Sequence, residues 1–280
     1  MIKLADIMES LKDLRLNGLP QGKSTGWLSV NKHYRPDLGY MTILTGVPGH
    51  GKSEWWDCLM LNMAVLHQWR WVIFSPENYP IAIHWNKIAE KLMNRPLSES
   101  STAEYSQANK VIDEYFTWLY PPDEKCTLSD ILEQVKLTKA TYGASGFVID
   151  PWNEIDHKRP AGLSETEYIS QSLTKIRRFC RENQMHGCIV AHPTKLQKDK
   201  DGVYPVPGPW DISGSAHWRN KADFCITVHR EDITKNEPKV YVQKVKQKNF
   251  GRVGEIQLYY DHKTGLMKDD MYSAYGVPQA

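Results

Sequence analysis

Short, continuous apolar runs alternate with longer amphipathic stretches through most of the chain. Residues 41–45, 71–75, 146–150 and 187–191 are the clearest runs. Their lack of polar alternation is the pattern of strands covered on both faces, as in a parallel sheet. Between and around them the spacing of apolar positions predicts helices over 53–68, 80–93, 104–119, 128–141 and 165–183. Residues 223–229, 238–247 and 254–260 read as strands joined by turns, so the sheet is expected to finish antiparallel. The order predicts an α/β fold built on a doubly wound, mostly parallel sheet.

The first residues follow a different rule. Leu4, Ile7, Met8, Leu11 and Leu14 fall at helical spacing, which predicts an amphipathic helix over 4–16. The breaker-rich stretch 17–24 then detaches it from the rest. Such a helix either folds back on its own domain or serves as an arm for a neighbouring subunit. The expected division is a linker helix and hinge over 1–23 and one α/β domain over 24–280. Inside that domain the strongest linker signal lies in 196–211, where Lys, Asp, Gly and Pro crowd together.

Composition changes this picture little. With 41% hydrophobic and 24% charged residues, the 280-residue chain is expected to fold rather than stay disordered. A net charge of +2 excludes no partner, since a nucleic-acid channel needs only local basic loops. No segment approaches the ~18 apolar residues of a membrane span, and residues 1–6 lack the features of a secretory leader. The five cysteines form no CxxC pair and read as reduced thiols of a cytoplasmic protein.

The strongest chemical signal is residues 46–53, GVPGHGKS, which fit the P-loop pattern GxxxxGK[ST] between an expected strand and an expected helix. Gly46, Gly49 and Gly51 let backbone N–H groups turn inward around phosphates, with His50 among them. Lys52 would reach the β- and γ-phosphates, and the Ser53 hydroxyl would sit on Mg²⁺. Glu54 opens the helix behind them. The motif predicts a nucleoside triphosphate site.

A P-loop holds phosphates without hydrolysing them, so further groups are expected at strand ends. Asp150 closes an apolar run in the manner of a Walker B carboxylate that supports Mg²⁺. Glu77 follows the next strand and can act as general base toward the attacking water. His192 ends the 187–191 run, where a polar side chain can sense the γ-phosphate and pass on its loss. Two locally basic loops follow these strands, with Lys158 and Arg159 in one and Thr194, Lys195 and Lys198 in the other. Both suit a phosphate backbone, and both also suit plain solvation. Lys244, Lys246 and Lys248 fall at every second residue, which on a strand points all three to one face. A neighbouring subunit's γ-phosphate, or nucleic acid, would explain such a row.

Taken together and in this order, these segments resemble the RecA-like motor domain of replicative ring helicases over residues 24 to 268. The nearest likeness is to the Twinkle-type and phage primase–helicase branch, with the DnaB type more distant. The resemblance implies a catalytic role for Glu77 and a γ-phosphate contact for His192. It also implies a DNA-side turn at Gly214 and Ser215, within DISGS followed by Ala222-Asp223. Residues 246–254 are similar to an element whose cations reach into the neighbour's ATP, here Lys246 and Lys248. Lys248 stands where the family has arginine, and a lysine lacks the planar bidentate contact. Turnover is then slower, or Lys246 or Arg252 shares the task, or the register differs slightly. By the same likeness Arg230 and Tyr260 would clamp the nucleotide base.

The implied function is an ATP- and Mg²⁺-dependent translocase on single-stranded DNA. It would be a replicative helicase working as a homo-oligomeric ring, expected to be hexameric, with 5′→3′ travel and with a primase or polymerase as a further partner. A cytoplasmic, or phage-encoded, protein is expected. Two alternatives stay open: a RecA-type recombinase or mediator forming filaments on DNA, and a P-loop small-molecule kinase. The sequence fits a stand-alone motor and a piece of a longer protein equally.

Overall fold

The computed structural model describes residues 2–122, 126–200, 202–214 and 216–269. Ten strands run in chain order as β1 (Met41–Thr45), β2 (Trp71–Phe74), β3 (Phe116–Trp118), β4 (Gly146–Ile149), β5 (His186–Val190), β6 (Phe224–His229), β7 (Lys239–Val245), β8 (Gly254–Gln257), β9 (Tyr259–Tyr260) and β10 (Met267–Lys268) among the described residues. The helices are α1 (Leu4–Asn17), α2 (Leu28–Asn31), α3 (Lys52–His67), α4 (Ile81–Met93), α5 (Thr102–Tyr115), α6 (Leu128–Tyr142), α7 (Glu165–Glu182) and α8 (His217–Lys221). Eight strands form one sheet in the order β3-β2-β4-β5-β1-β6-β7-β8. Pairing is parallel from β3 to β6 and antiparallel from β6 to β8, as the apolar pattern predicts.

Both faces of the sheet are covered, and successive residues alternate between two cores. Leu44, Ile73, Val148, Val190 and Ile226 face α3 and α4. Ile43, Val72, Phe147, Ile189 and Cys225 face α6 and α7. The first core is tryptophan-rich: Trp27 stacks on Trp55 with centroids 6.1 Å apart, and Trp56 meets Trp71 edge-on at 6.0 Å. α3 is buried nearly all round, so the P-loop helix cannot shift without disturbing that core.

Three expectations need correction. The helix read over 104–119 ends at Tyr115, and residues 116–118 pair with β2 as an edge strand. Three aromatic or β-branched residues are too short a run to interrupt a helical pattern read over a longer window. The strand read over 254–260 is split: β8 stays in the main sheet, while β9 pairs with β10 in a separate hairpin. The row of three lysines does not form. β7 ends at Val245, a β-bulge shifts its register against β6, and Lys248 begins a 3-10 turn.

α1 forms where its periodicity places it, and every one of its residues is exposed. Leu4, Ile7, Met8, Leu11 and Leu14 are all exposed, and none of them joins a hydrophobic core among the described residues.

Candidate nucleotide site

The strand order explains how distant residues meet. β5 lies between β1 and β4, and β2 flanks β4 on its other side, all parallel and in matched register. The segments leaving their carboxyl ends are the P-loop, His192, Asp150 and Glu77. This is the crevice where open α/β sheets bind ligands.

Glycine is required at two points of the P-loop. At Gly46 (φ +147°) a Cβ would stand 2.3 Å from the Val228 carbonyl oxygen, and Gly51 (φ +94°) caps α3 in the left-handed region. The Lys52 ammonium is buried and donates to the carbonyls of Gly46 (3.0 Å) and Val47 (3.2 Å). Burial pushes its pKa down, against the pull of Asp150 and Glu77. The Ser53 hydroxyl donates to Asp150 Oδ2 at 2.8 Å, so the two expected Mg²⁺ ligands touch. Burial raises Asp150 to about 6, while the Ser53 hydrogen bond opposes the rise. A hydroxyl and a carboxylate are hard oxygen donors, and a site with few protein ligands suits Mg²⁺, which keeps waters and takes phosphate oxygens.

Glu77 sits in the 3-10 turn Pro76–Asn78, half exposed, with Oε1 3.8 Å from His192 Nε2. Burial lowers the His192 pKa, followed by the nearby Lys52 charge, so the ring is neutral at pH 7. Gly49, Gly51, Lys52, Ser53, Glu54, Glu77, Asp150 and His192 line one cavity of about 320 Å³. Asn78 and Lys87 line it too, and neither was anticipated. Asn78 could have been suspected from its neighbour Glu77. Nothing in the local sequence around Lys87 marks it.

His50 does not line the cavity. Its Nδ1 accepts the backbone N–H of Arg230 at 3.1 Å, and its ring lies 4.8 Å from that of His229. Burial, then His229 and Lys52, push its pKa down to about 4. The Arg230 guanidinium lies over the Tyr260 ring at 5.5 Å and donates to the carbonyls of Ile233 (2.7 Å) and Lys235 (2.5 Å). The β9–β10 hairpin carrying Tyr260 brings Met267 against Gly51, so this pair adjoins the P-loop.

The basic loops are exposed. Lys158 pairs with Asp156 at 3.2 Å, and Arg159 and Lys195 face solvent. Thr194 ties its loop to Asp211 through N–H and hydroxyl bonds of 2.7 and 3.1 Å. Lys198 lies over the Tyr204 ring at 4.9 Å, and that ring is 6.4 Å from His50. Gly214 packs against Glu165 and Ile169 of α7, and Ser215 lies outside the described residues.

The lysine stretch is largely used up within the chain. Lys244 Nζ donates to the carbonyls of Arg219, Asn220 and Ala222 at 2.6, 3.3 and 2.6 Å, closing the end of α8. Lys246 pairs with the buried Asp223 at 3.1 Å. Lys248 is exposed and makes no ion pair or side-chain hydrogen bond among the described residues.

Sheet order and site together define a RecA-like P-loop NTPase domain. No protein-family model matches the sequence. A curated relative, the Twinkle homolog protein, chloroplastic/mitochondrial, of Arabidopsis thaliana, is 37% identical over 279 residues. That alignment takes in 95% of this chain and 39% of the relative, so the chain spans about two fifths of that protein's length. Among solved structures, a separately solved ATPase domain superposes with a TM-score of 0.79 at 15% identity, covering 95% of this chain and 98% of that one. A DnaB-like replicative helicase, solved in a study of its interactions with primase, superposes at 0.76 and 16% identity, covering 95% and 70%. The chain is thus similar in sequence to part of a Twinkle homolog and shares its fold with DnaB-like helicase ATPase domains, the resemblance its motifs carry. No helix among the described residues is long and apolar enough to cross a membrane.

Proposed function

We propose that this chain hydrolyses ATP to drive translocation on single-stranded DNA, as the motor of a replicative helicase. The observation that carries the reading is the Ser53–Asp150 contact beside Lys52, with Glu77 and His192 on the same cavity wall. Lys52 leaves the loop carbonyls to meet the β- and γ-phosphates. Ser53 and Asp150 hold Mg²⁺, which neutralises phosphate charge when bound. Glu77, exposed enough to meet water, orients and deprotonates the nucleophile. His192 reads the γ-phosphate and relays its loss to the loop pinned at Thr194–Asp211, whose Lys195 and Lys198, with Lys158 and Arg159, track DNA. Arg230 and Tyr260 hold the base beside His50, and Gly214 lies on the DNA side.

The reading includes a ring, expected to be hexameric, with Lys248, assisted by Lys246, reaching a neighbour's nucleotide. Support comes from the exposed apolar face of α1, formed by Leu4, Ile7, Met8, Leu11 and Leu14, with Asp6, Glu9 and Asp13 on its opposite side. A groove of about 920 Å³ between α6 and α7 offers Leu137 and Phe179 among Lys136, Lys175 and Arg178. The arm of one copy docks there on the next. Travel is 5′→3′, a primase or polymerase is the further partner, and the location is the cytoplasm, the plant relative being by its name an organelle protein.

The test is ATP hydrolysis by the purified chain with and without single-stranded DNA, beside a Glu77→Gln control. Strong stimulation that the variant loses supports a DNA motor with Glu77 as base. DNA-independent turnover overturns it in favour of the kinase alternative. Strand exchange without unwinding would favour the filament-forming recombinase.

A further inference from the structure

One cation on the wall of the nucleotide cavity belongs to none of the recognised motifs. Lys87 projects from α4, its side chain 42% exposed, and its ammonium lies 3.5 Å from Glu54 Oε1. The other Glu54 oxygen accepts from Lys91, one helical turn further along α4. Lys91 is 1% exposed, and the carboxylates around it are Glu54, which it contacts, and the buried Asp57, so its charge stays within the fold. Glu54 is therefore neutralised from behind, and its contact with Lys87 is both long and open to the cavity. Lys87 is thus a second cation on the cavity wall, beside Lys52, where Glu54, Glu77 and Asp150 also face the ligand space. A magnesium-bound triphosphate arrives with net negative charge, and Lys52 is the only P-loop cation to meet it.

We propose that Lys87 is a second phosphate-directed cation of this site, reaching the polyphosphate of a nucleoside triphosphate from the α4 side. The long, flexible stem allows the ammonium to move from Glu54 to the ligand as a point charge. Lys91 has a positioning role, holding Glu54 so that it does not recapture Lys87. The proposal rests on reading the cavity as a nucleotide site.

The competing role for Lys87 is to screen Glu54 and nothing more, and a double-mutant cycle separates the two. Equilibrium binding of a ribose-labelled fluorescent ATP, with Mg²⁺ at fixed salt, is measured for the wild type, Lys87→Met, Glu54→Gln and the double variant. A phosphate contact weakens binding roughly tenfold on Lys87→Met, by the same factor in both Glu54 backgrounds, and Lys87→Arg restores most of it. A loss that vanishes in the Glu54→Gln background means that Lys87 only screens Glu54, and overturns the proposal. So does an unchanged affinity. If Glu54→Gln melts early because it strands Lys91, Glu54→Asp replaces it, drawing the carboxylate back from Lys87 while keeping charge beside Lys91. Lys52→Ala is the separate control: a wild type that binds no nucleotide, or one whose binding survives Lys52→Ala, sinks the nucleotide-site reading itself rather than the role of Lys87.

Discussion

The edge of the sheet at β1, β5, β4 and β2 contrasts sharply with the opposite end at β6 and β7. At the first, residues far apart in sequence meet at hydrogen-bond distance within one chain, and the proposed hydrolytic groups share one cavity wall. At the second, three lysines with the same sequence spacing have three fates. One closes a helix end, one neutralises a buried aspartate, and one stands exposed. Parallel strands in register put their carboxyl ends in one line, whereas β7 ends at Val245, before Lys246 and Lys248, and the period of two ends with it. Spacing along a strand is evidence of a shared face only while the strand persists.

The largest effect that would break this contrast is in mixed assemblies. Glu77→Gln is expected to lower turnover by about 10²–10⁴-fold, and Lys248→Ala to lower it markedly if the exposed lysine works on a neighbour. Mixing the two inactive proteins should then restore part of the hydrolysis, because some interfaces pair a native Glu77 with a native Lys248. Mixtures as inactive as their components would mean that Lys248 does not act across an interface.

A smaller effect concerns Asp150. Its folded pKa of about 6 lies above the ordinary value near ~3.9. The stability contributed by its protonated form is complete below the unfolded value and is lost as pH rises through about 6. Asp150→Asn removes that loss. Its advantage over the wild type should be near zero at about pH 4 and reach about 2–3 kcal/mol above about pH 7, in urea unfolding without Mg²⁺. An advantage that does not grow with pH would contradict the buried, ionised carboxylate.

The lysines separate next. Lys246→Met leaves the buried Asp223 with fewer partners and should cost about 1–2 kcal/mol, whereas Lys248→Met should change stability by less than about 0.5 kcal/mol. Equal costs in thermal unfolding would mean that Lys248, too, is structural. The smallest stability effect belongs to α1. Leu11→Glu should leave the melting temperature of the domain unchanged, since Leu11 is exposed and outside both cores among the described residues, while shifting light scattering toward smaller species. An unchanged assembly would sink the arm.

Some of this was legible because the signal is local. The P-loop is eight consecutive residues whose chemistry depends on backbone turns and a helix start, and α1 declares itself by period alone. Apolar runs named β1, β2, β4 and β5 to within a residue. The three-residue β3 and the β9–β10 hairpin escaped, because short edge strands owe their pairing to neighbours and not to pattern. Asp150, Glu77 and His192 were readable as strand-end polar residues, but their meeting was not.

Periodicity and the conformations open to glycine were enough to dictate the β/α alternation and a phosphate-cradling loop. Packing in three dimensions was needed to set β5 between β1 and β4 and so bring His192 toward Glu77. The same packing carries Lys87 on α4 to the cavity and commits Lys244 and Lys246 to the fold. Those outcomes depend on strand order, helix packing and burial, which couple residues that no window along the chain contains.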